Sequence, residues 1–310
     1  MTIQCDKKVA ILMATYNGEK YLSEQIESIL KQTFTDWVLY IHDDGSTDNT
    51  LEIIKKYVKA YPKKIVSIQG KRTGGAKFNF FSLMDKVTAE YIMFSDQDDW
   101  WLPDKINKTL EKCIKLENGQ KDIPTVVFTD LKVVNEKLKI INNRMSKYQK
   151  LEMKNTMFNE LMIQNVVTGC TMMINRKCRN IAIECKDRDQ IIMHDWWCAL
   201  IASYYGKIGY INEALILYRQ HGDNSVGAKN IYSIAYLKNQ IFKKSEQKKA
   251  LLKTQQQISY FVKIYDISTP YIIEYGNLAN KSKLSKIAFL LKNHIFKSGL
   301  IRNIGLFLIC

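Results

Sequence analysis

Short apolar runs alternate with amphipathic segments from residue 9 to about residue 130, and this alternation is the strongest constraint on the fold. The runs that are typical of buried strands lie at 9–14, 37–41, 65–68, 91–94 and 126–128. The segments with helical spacing of apolar residues lie at 19–32, about 46–60, 78–87 and 103–116. Strands that alternate with helices predict an α/β fold, a mainly parallel sheet with helices on both faces. After residue 130 the pattern loosens, with strands predicted at 169–174, 208–211 and 215–218 and a helix at 195–205.

Three carboxylates, those of Asp96, Asp98 and Asp99, directly follow the apolar run at 91–94. At the end of a buried strand they would lie at the carboxyl edge of the sheet, where open α/β folds bind their ligands. Like charges this close repel each other unless a cation or a ligand rich in donors offsets them. Hard oxygen ligands suit Mg²⁺ or Mn²⁺. The alternative is a solvated acidic turn that caps the next helix.

Two other polar loops follow predicted strands and therefore lie at the same edge. The first contains Thr15, Tyr16 and Asn17, and the second contains Asp43 and Asp44. The ring of Tyr16 can stack on a base, and Asp44 can accept a hydrogen bond from a base or a ribose hydroxyl. The helix that begins after the second loop adds unpaired N–H donors to the pocket. By itself the second loop is equally consistent with an ordinary turn and helix cap.

A basic, glycine-containing segment follows the third predicted strand. Its two adjacent glycines let the backbone approach an anion, and Arg72 or Lys77 could bind phosphate. Neither the glycine pattern of dinucleotide-binding folds nor that of P-loop enzymes occurs in the chain. The sequence therefore argues against a dinucleotide-dependent oxidoreductase and against a P-loop enzyme.

Two further residues have side chains suited to catalysis or metal binding. Asp195 lies between His194 and Trp196 at the start of a predicted helix. It is either an N-cap or a general base, because apolar neighbours can raise a carboxyl pKa toward the working pH. His221 lies in a polar loop after the last predicted strand, and it is either exposed or a third ligand of the kind that Mn²⁺ accepts.

Taken together, these elements resemble the family 2 inverting glycosyltransferases with a GT-A fold, over roughly residues 7–226. The segments that carry the resemblance are 11–18, 43–48, 95–99 and 194–197. Within the family the chain looks most like bacterial rhamnosyltransferase-type enzymes of surface polysaccharide assembly. The narrower likeness is carried by segments 95–105 and 218–221.

The resemblance assigns expected roles to individual residues. The residues expected to contact the nucleotide-sugar donor are Thr15, Tyr16, Asn17, Asp43, Asp44, Arg72, Lys77, Asp96 and Gln97. Asp96 and Asp98 correspond to the DXD pair of the family, with Asp98 as the direct metal ligand and Asp96 toward the ribose or the metal. His221 matches a histidine that contacts the metal in some members. Asp195 corresponds to the catalytic base, although a Glu-Asp pair is commoner there and His194 replaces the Glu. The residues expected to face the acceptor are Trp100, Trp101, Gly169 and Trp196.

The resemblance also implies a reaction and a domain organisation. We expect a metal-dependent, inverting enzyme that uses Mg²⁺ or Mn²⁺ and moves a sugar to a glycan or lipid-linked acceptor. The Q-x-x-R-W pattern of processive members is absent, so the enzyme is expected to be non-processive. dTDP-rhamnose is the favoured donor, and UDP-hexose or UDP-N-acetylhexosamine is the alternative. A non-catalytic nucleotide-sugar-binding protein is the alternative of another class. The catalytic domain is predicted over 1–226, with a donor half at about 1–100 and an acceptor half at 101–226.

The remaining region, 227–310, is predicted to be helical and basic. The chain has a net charge of +15, and residues 231–310 contain 13 Lys and Arg against 3 Asp and Glu, a difference of +10. A local excess of this kind suggests an anionic partner, either a membrane or nucleic acid, or else a solvated face. No nucleic-acid reader motif is present, so peripheral contact with a membrane is favoured. Packing on the catalytic domain or on a second subunit, as in a homodimer, is the alternative for these helices.

Cysteine usage and hydropathy bear on the compartment. The seven cysteines form no C-x-x-C pair, which fits reduced thiols in the cytosol. The N-terminus has no signal-peptide pattern, and no uninterrupted apolar stretch reaches the about 18–20 residues that span a bilayer. We therefore predict a cytoplasmic enzyme that lies on the inner face of the cell membrane.

Overall fold

The computed structural model describes residues 2–222 and 244–310. In this part of the chain the strands are β1 Ile3–Gln4, β2 Val9–Thr15, β3 Trp37–Asp43, β4 Ile65–Ser67, β5 Val87–Thr88, β6 Tyr91–Ser95, β7 Trp100–Trp101, β8 Thr125–Val134, β9 Ile140–Asn142, β10 Met173–Asn175 and β11 Lys207–Arg219. The helices are α1 Leu22–Leu30, α2 Thr50–Ala60, α3 Ala76–Lys86, α4 Lys105–Glu117, α5 Met145–Tyr148, α6 Phe158–Leu161, α7 Arg176–Ala182, α8 His194–Tyr205, α9 Lys244–Tyr265, α10 Pro270–Gly276, α11 Lys283–Lys292 and α12 Leu300–Ile309.

One mixed sheet of nine strands organises the described residues. Its order is β4-β3-β2-β6-β10-β8-β11-β7, and β9 pairs with β8. The first four strands run parallel to each other, whereas β10 is antiparallel to both β6 and β8. The predicted α/β architecture, a sheet flanked by helices, is confirmed. The four neighbouring parallel strands come from the first hundred residues, where the alternation of strand and helix is most regular, and β8 and β11 form a further parallel pair.

The register of the parallel strands brings three polar loops to one edge. Thr15 at the end of β2 pairs with Asp43 at the end of β3, and Met13 pairs with Ser95 at the end of β6. Because parallel strands point the same way, the loops that follow these ends leave the sheet together. The loop after β6 contains the three carboxylates.

The core lies on both faces of this sheet. Alternate residues of β2 point to opposite sides: Ala10 and Leu12 pack in one cluster, and Ile11 and Met13 pack in the other. All four are fully buried. Continuous burial on both faces explains why the central strands are apolar runs rather than alternating ones.

The structure differs from the predicted strands in the second half. Residues 208–211 and 215–218 are parts of one strand, β11, because its parallel pairing with β8 continues through two register shifts. The segment predicted as a strand at 169–174 begins with a 3₁₀ turn, Gly169–Thr171, and only its end pairs as β10. Local apolar runs do not reveal such shifts, which depend on the partner strand.

The C-terminal helices share the core of the sheet domain. Ile258 and Phe261 of α9 are fully buried, and the ring of Phe261 lies 5.4 Å from that of Trp197 in α8. The prediction of a helical C-terminal region is confirmed over 244–310, and the boundary predicted at residue 226 lies outside the described residues. Among the helices described here, none is both long enough and apolar enough to cross a bilayer.

Candidate active site

The loops after β2 and β3 hold each other through side-chain hydrogen bonds. Thr15 Oγ1 donates to Asp43 Oδ2 at 3.0 Å, and the Ser46 backbone N–H donates to Asp43 Oδ1 at 2.8 Å. The Asn17 backbone N–H donates to Ser46 Oγ at 2.8 Å, and the Asn17 side chain accepts from the Thr47 N–H at 2.9 Å. Asn17 has a φ of 47°, a left-handed conformation that asparagine tolerates. The predicted donor residues Thr15, Asn17 and Asp43 therefore form a rigid rim, with Asp43 as its internal acceptor.

Tyr16 presents an open ring at this rim. Its residue is 45% exposed, and the guanidinium carbon of Arg72 lies 5.3 Å from the ring centroid. The Gln97 amide fixes the backbone of Tyr16 from the other side, accepting from its N–H at 2.8 Å and donating to its carbonyl at 2.9 Å. The structure thus brings Tyr16, Arg72 and Gln97 together. Gln97 joins the loop after β2 to the acidic loop, which is a positioning contact.

Asp44 holds the loop after β4. Its residue is only 4% exposed, and its carboxylate accepts from the N–H and hydroxyl of Thr73 and from the N–H groups of Gly74 and Gly75, the last at 2.8 Å. Burial opposes ionisation, but these hydrogen bonds lower the pKa of Asp44 below its ordinary value. Gly74 and Gly75 have φ angles of 89° and 135°, which only glycine adopts readily. A base or ribose that reaches Asp44 must share or displace these donors.

The ammonium group of Lys77 makes contacts that the sequence did not predict. It donates to the backbone carbonyls of Arg188 and Ile191, at 2.7 and 2.8 Å. It fastens α3 to the segment that precedes α8. Backbone carbonyls therefore accept two of its three N–H donors, and the expected phosphate contact of Lys77 stays a prediction.

The acidic loop forms a cluster that extends beyond the predicted pair. Asp98 Oδ2 lies 2.7 Å from His221 Nε2, so these two predicted metal ligands are in contact. Ligand atoms of Asp96, Asp99 and Cys170 all lie within 4.8 Å of one another. Sequence reasoning left Asp99 outside the set and missed Cys170 altogether.

The electrostatics of this cluster fit a divalent cation. Burial, with the nearby carboxylates of Asp98 and Asp195, raises the pKa of Asp96 to about 7. Burial and repulsion from the carboxylates of Asp98 and Asp96 raise the pKa of Asp99 well above its ordinary value. Asp99 Oδ2 is buried and makes no hydrogen bond. Clustered carboxylates with raised pKa values and one carboxylate oxygen without a hydrogen bond are a donor set that suits Mg²⁺ or Mn²⁺.

Arg219, at the end of β11, donates hydrogen bonds to the acidic loop. It is 1% exposed, and its Nε donates to the Asp98 carbonyl at 2.8 Å. Its other guanidinium nitrogens donate to the Glu136 carbonyl and to the Glu24 carboxylate, and the guanidinium carbon lies 4.3 Å from the centroid of the Tyr21 ring. No role was predicted for Arg219, although it belongs to the 218–221 segment that carries the narrower resemblance.

The two tryptophans after the acidic loop have different environments. Trp101 is 1% exposed, and the ammonium nitrogen of Lys105 lies 3.4 Å from its ring centroid. Lys105 is itself fully buried, and burial lowers its pKa to about 7. The predicted acceptor contact of Trp101 is therefore wrong, because its ring is part of the core. Trp100 points to the opposite side of β7 and is partly exposed, with Lys31 5.2 Å above its ring. Its acceptor contact stays a prediction.

Asp195 lies in the first turn of α8, held by donors from a second segment. Its Oδ2 accepts from the Gly169 N–H at 2.9 Å, and its Oδ1 accepts from the Asn165 amide at 3.3 Å and the Trp196 N–H at 2.5 Å. Burial raises the pKa of Asp195 to about 7, although the Trp196 and Gly169 hydrogen bonds act in the opposite direction. A carboxylate that ionises near neutral pH is suited to general base catalysis.

The neighbours of Asp195 orient it rather than compete with it. A Cβ on Gly169 would lie 2.9 Å from His194 Nε2, so no side chain fits there and the Gly169 N–H can approach the carboxylate. Trp196 donates its indole N–H to the Leu161 carbonyl at 2.6 Å. Gly169 and Trp196 were predicted to face the acceptor. The Gly169 N–H binds the Asp195 carboxylate, and contact of either residue with the acceptor stays a prediction.

His194 is a buried residue of the core. It is 3% exposed and packs between the rings of Phe80 and Phe94, whose centroids lie 4.3 and 4.8 Å away. Burial lowers its pKa to about 3, so the imidazole is neutral. Where the family commonly has a Glu, this chain has a core residue.

Comparison with known proteins identifies the family. The profile described as Glycosyl transferase family 2 matches residues 10–180. The dTDP-rhamnosyl transferase RfbG of Shigella flexneri is 32% identical over 234 residues, which cover 72% of this chain and 76% of the relative. The Escherichia coli enzyme WfgD, a UDP-Glc:α-D-GlcNAc-diphosphoundecaprenol β-1,3-glucosyltransferase, is 31% identical over 110 residues, 36% of this chain and 42% of that enzyme. The crystal structure of Staphylococcus aureus TarS 1–349 with UDP superposes with a TM-score of 0.53 at 14% identity, covering 93% of this chain and 89% of that one. The chain therefore belongs to glycosyl transferase family 2.

Proposed function

We propose that this glycosyltransferase is a metal-dependent, inverting, non-processive enzyme that uses a nucleotide-diphospho-sugar donor. The observation that carries the proposal is the position of Asp195. Its Oδ2 accepts from the Gly169 N–H at 2.9 Å, and the sulfur of the next residue, Cys170, lies within 4.8 Å of ligand atoms of Asp96 and Asp99, in the acidic loop that Gln97 joins to Tyr16. A candidate base, a candidate metal cluster and a candidate base-stacking ring thus belong to one site.

Asp96, Asp98, Asp99 and His221 would hold the divalent cation. The cation, when bound, offsets the negative charge that develops on the leaving diphosphate. Arg72 adds a second positive group at the rim, above Tyr16. Preorganised positive charge in a site with little water is usually the largest contribution to catalysis of this kind.

The chain's own residues account for the proton. Asp195 in its ionised form accepts the proton of an acceptor hydroxyl as the hydroxyl oxygen bonds to the anomeric carbon of the sugar. The bond from that carbon to the diphosphate oxygen breaks on the opposite face, so the anomeric configuration inverts. Gly169 and Asn165 keep the carboxylate oriented through this step. A placed base typically contributes about 10²–10⁴-fold in rate.

The relatives narrow the substrates. We infer a role in surface polysaccharide synthesis and favour dTDP-rhamnose as donor, because RfbG is named for transfer from dTDP-rhamnose and matches most of both chains. UDP-hexose or UDP-N-acetylhexosamine is the alternative, supported by the name of WfgD and by the fold shared with UDP-bound TarS. The name of WfgD also supports a lipid-linked acceptor. A cytoplasmic location at the inner membrane face is part of the proposal, and a homodimer stays a prediction.

A panel of nucleotide sugars tests this function by thermal shift, with and without Mn²⁺ or Mg²⁺. A ligand at about 100 times its dissociation constant stabilises the native state by about 2.7 kcal/mol. We expect dTDP-rhamnose to give the largest shift and to require the metal. If no nucleotide sugar raises the melting temperature in either condition, the proposal is wrong. A donor that binds but is transferred to no acceptor would favour the non-catalytic binding protein instead.

A further inference from the structure

Helices α11 and α12 form a hairpin, here called the C-terminal hairpin (residues 283–309), that has two apolar faces. Its inner face packs on the core through buried side chains from both helices and their connection. These side chains are Phe289, Leu290, Ile295, Leu306 and Ile309. This face alone accounts for the folding of the hairpin onto the domain, so the second face needs a separate explanation.

The outer face of the hairpin is a patch of exposed aliphatic side chains. Its members and their exposed fractions are Leu284 80%, Leu291 49%, Leu300 75%, Ile301 49%, Ile304 51% and Leu308 57%. Those of α11 are seven residues apart, and those of α12 are the adjacent pair Leu300 and Ile301 followed by Ile304 and Leu308, which places them along one side of each helix. Among the described residues, 17 large apolar side chains are exposed, and these six come from 25 consecutive positions. Contiguous exposed apolar surface of this kind marks an interaction site.

A hydrogen bond joins the first turn of α11 to the last turn of α12. Lys283 at the start of α11 donates to the carbonyl of Leu308 near the end of α12, at 3.2 Å. With only the short connection 293–299 between them, the helices are antiparallel. Leu284 and Leu308 therefore lie at one end of the patch, and Leu291 and Leu300 lie toward the other.

The segment that carries this patch is basic, although Lys281 pairs with Glu274 just before it. From residue 275 to 310 the sequence contains five Lys and one Arg and no Asp or Glu. Lys283 and Lys292 are exposed at the two ends of α11, and Lys286 is partly exposed between them. Arg302 serves the fold instead, donating to the carbonyls of Lys150 and Ser298. An apolar patch bordered by lysines is complementary to a surface that is apolar inside and anionic at its boundary.

We propose that the outer face of the C-terminal hairpin binds an anionic phospholipid leaflet. Its aliphatic side chains would enter the boundary of the acyl chains while the exposed Lys283 and Lys292 contact the headgroups. A second copy of the chain fits less well, because a two-fold contact through this face would bring the same lysines of both copies together. Each lysine near an anionic surface changes binding by about fivefold.

The connection of the hairpin contacts the segment that supports the candidate base. The Ser298 N–H donates to Gln164 Oε1 at 2.6 Å, and the next residue, Asn165, donates to Asp195. Glu152 adds a backbone hydrogen bond to Ser298 Oγ at 3.1 Å. The connection of the hairpin is thus attached to the segment that orients Asp195. That a bound leaflet presents a lipid-linked hydroxyl to this base rests on the proposed function.

Vesicle co-sedimentation of the full chain tests the docking surface. The probes are phosphatidylcholine vesicles with and without phosphatidylglycerol, at low and high salt. We expect the wild type to bind the anionic vesicles preferentially and the double variant Leu284→Ser, Leu308→Ser to bind at least about tenfold more weakly. The control is Leu51→Ser, Ile114→Ser, which makes the same kind of change at two exposed aliphatic side chains, 43% and 47% exposed, outside the hairpin. This control should bind like the wild type.

Three results would overturn the proposal. The first is equal partitioning of the wild type onto neutral and anionic vesicles, and the second is equal partitioning of the outer-face and control variants. The third is a wild-type oligomer that the outer-face variant converts to a monomer without any effect on vesicles, which would assign the face to a second copy. Thermal unfolding of each variant verifies that it is folded.

Nucleotide-sugar binding separates this proposal from the proposed function. The outer-face variant should keep the metal-dependent thermal shift of the wild type and lose only vesicle binding. If the chain binds anionic vesicles but no nucleotide sugar, the result contradicts the proposed function and still supports the proposed docking surface. A chain that binds the donor but shows no preference for anionic vesicles would do the reverse.

Discussion

Replacement of Arg219 by Met tests whether a buried guanidinium holds the candidate metal cluster in place. Arg219 bonds to the Asp98 and Glu136 carbonyls and to the Glu24 carboxylate, and it lies against the Tyr21 ring. Its own backbone N–H also donates to a carboxylate of the acidic loop. Methionine fills much of the same volume but offers none of the guanidinium donors, so the change removes the polar contacts with little loss of packing.

The size of the effect follows from the burial of each contact. The charge-assisted bond to the buried Asp98 carbonyl contributes about 1.5–3 kcal/mol, since its loss leaves an acceptor without a partner. The cation–π contact with Tyr21 adds about 1–2 kcal/mol. The Glu24 carboxylate is half exposed, at 50%, so that pair contributes about 1 kcal/mol or less. We expect Arg219→Met to lower the free energy of unfolding by about 4 kcal/mol and the melting temperature by about 8 °C.

Calorimetry or thermal fluorescence measures this loss, and Mn²⁺ titration measures its effect on the cluster. The matched control, Glu24→Gln, removes only the half-exposed partner and should lower the melting temperature by about 2 °C or less. Arg219→Met should also reduce the additional stabilisation that Mn²⁺ gives, because the Asp98 loop is no longer fixed. A melting temperature for Arg219→Met equal to that of the control would refute the inference that the guanidinium supports the site.

Three further changes probe the candidate base and the donor rim. Because the pKa of Asp195 is raised to about 7 and the base must be ionised, kcat/KM should rise about tenfold per pH unit below pH 6 and level off above about pH 8; a flat profile contradicts this. Asn165→Ala removes one donor to the Asp195 carboxylate, so the midpoint should move up by about half a pH unit, as read from the same profile. Gln97→Ala removes both hydrogen bonds to the Tyr16 backbone and should weaken donor binding by about tenfold in calorimetric titration, with Gln97→Glu, which keeps one acceptor, as the matched comparison.

The fold of the first half could be predicted because its signals are local. The apolar run at 91–94 and its acidic continuation lie in one stretch, and a parallel strand carries whatever follows it to the carboxyl edge of the sheet. The same reasoning located the loops with Tyr16 and Asp43. Asp195 and His221 were candidates from their residue types alone, and the family resemblance then assigned them the roles of catalytic base and metal ligand.

What could not be predicted depends on contacts between distant segments. Cys170 reaches Asp96 and Asp99 only because β10 inserts antiparallel between β6 and β8. Trp101 is buried and Trp100 is not, since neighbouring residues of a strand face opposite sides. The Asp44 carboxylate likewise accepts hydrogen bonds from a loop that lies 29 to 31 residues further along the chain, where two glycines form a turn.

In the C-terminal region, too, the sequence does not show which apolar side chains are exposed. The sequence predicted a helical, basic region at 227–310, and its apolar residues include Phe289, Leu290 and Ile295. Those three are buried against the domain, whereas Leu284, with an exposed fraction of 80%, is on the outside. The periodicity of a helix with two apolar faces does not tell which face the core takes; the position of the core decides it.

The most direct test of the account is the transfer rate of Asp195→Asn measured beside its donor affinity. The asparagine keeps the shape of the side chain and the contact with the Gly169 N–H, but it cannot accept the proton. With the donor that gives the largest metal-dependent thermal shift, we predict a dissociation constant within about threefold of wild type and a single-turnover transfer rate about 10²–10⁴-fold lower. Transfer by Asp195→Asn at a rate close to that of the wild type would contradict the assignment of Asp195 as the catalytic base.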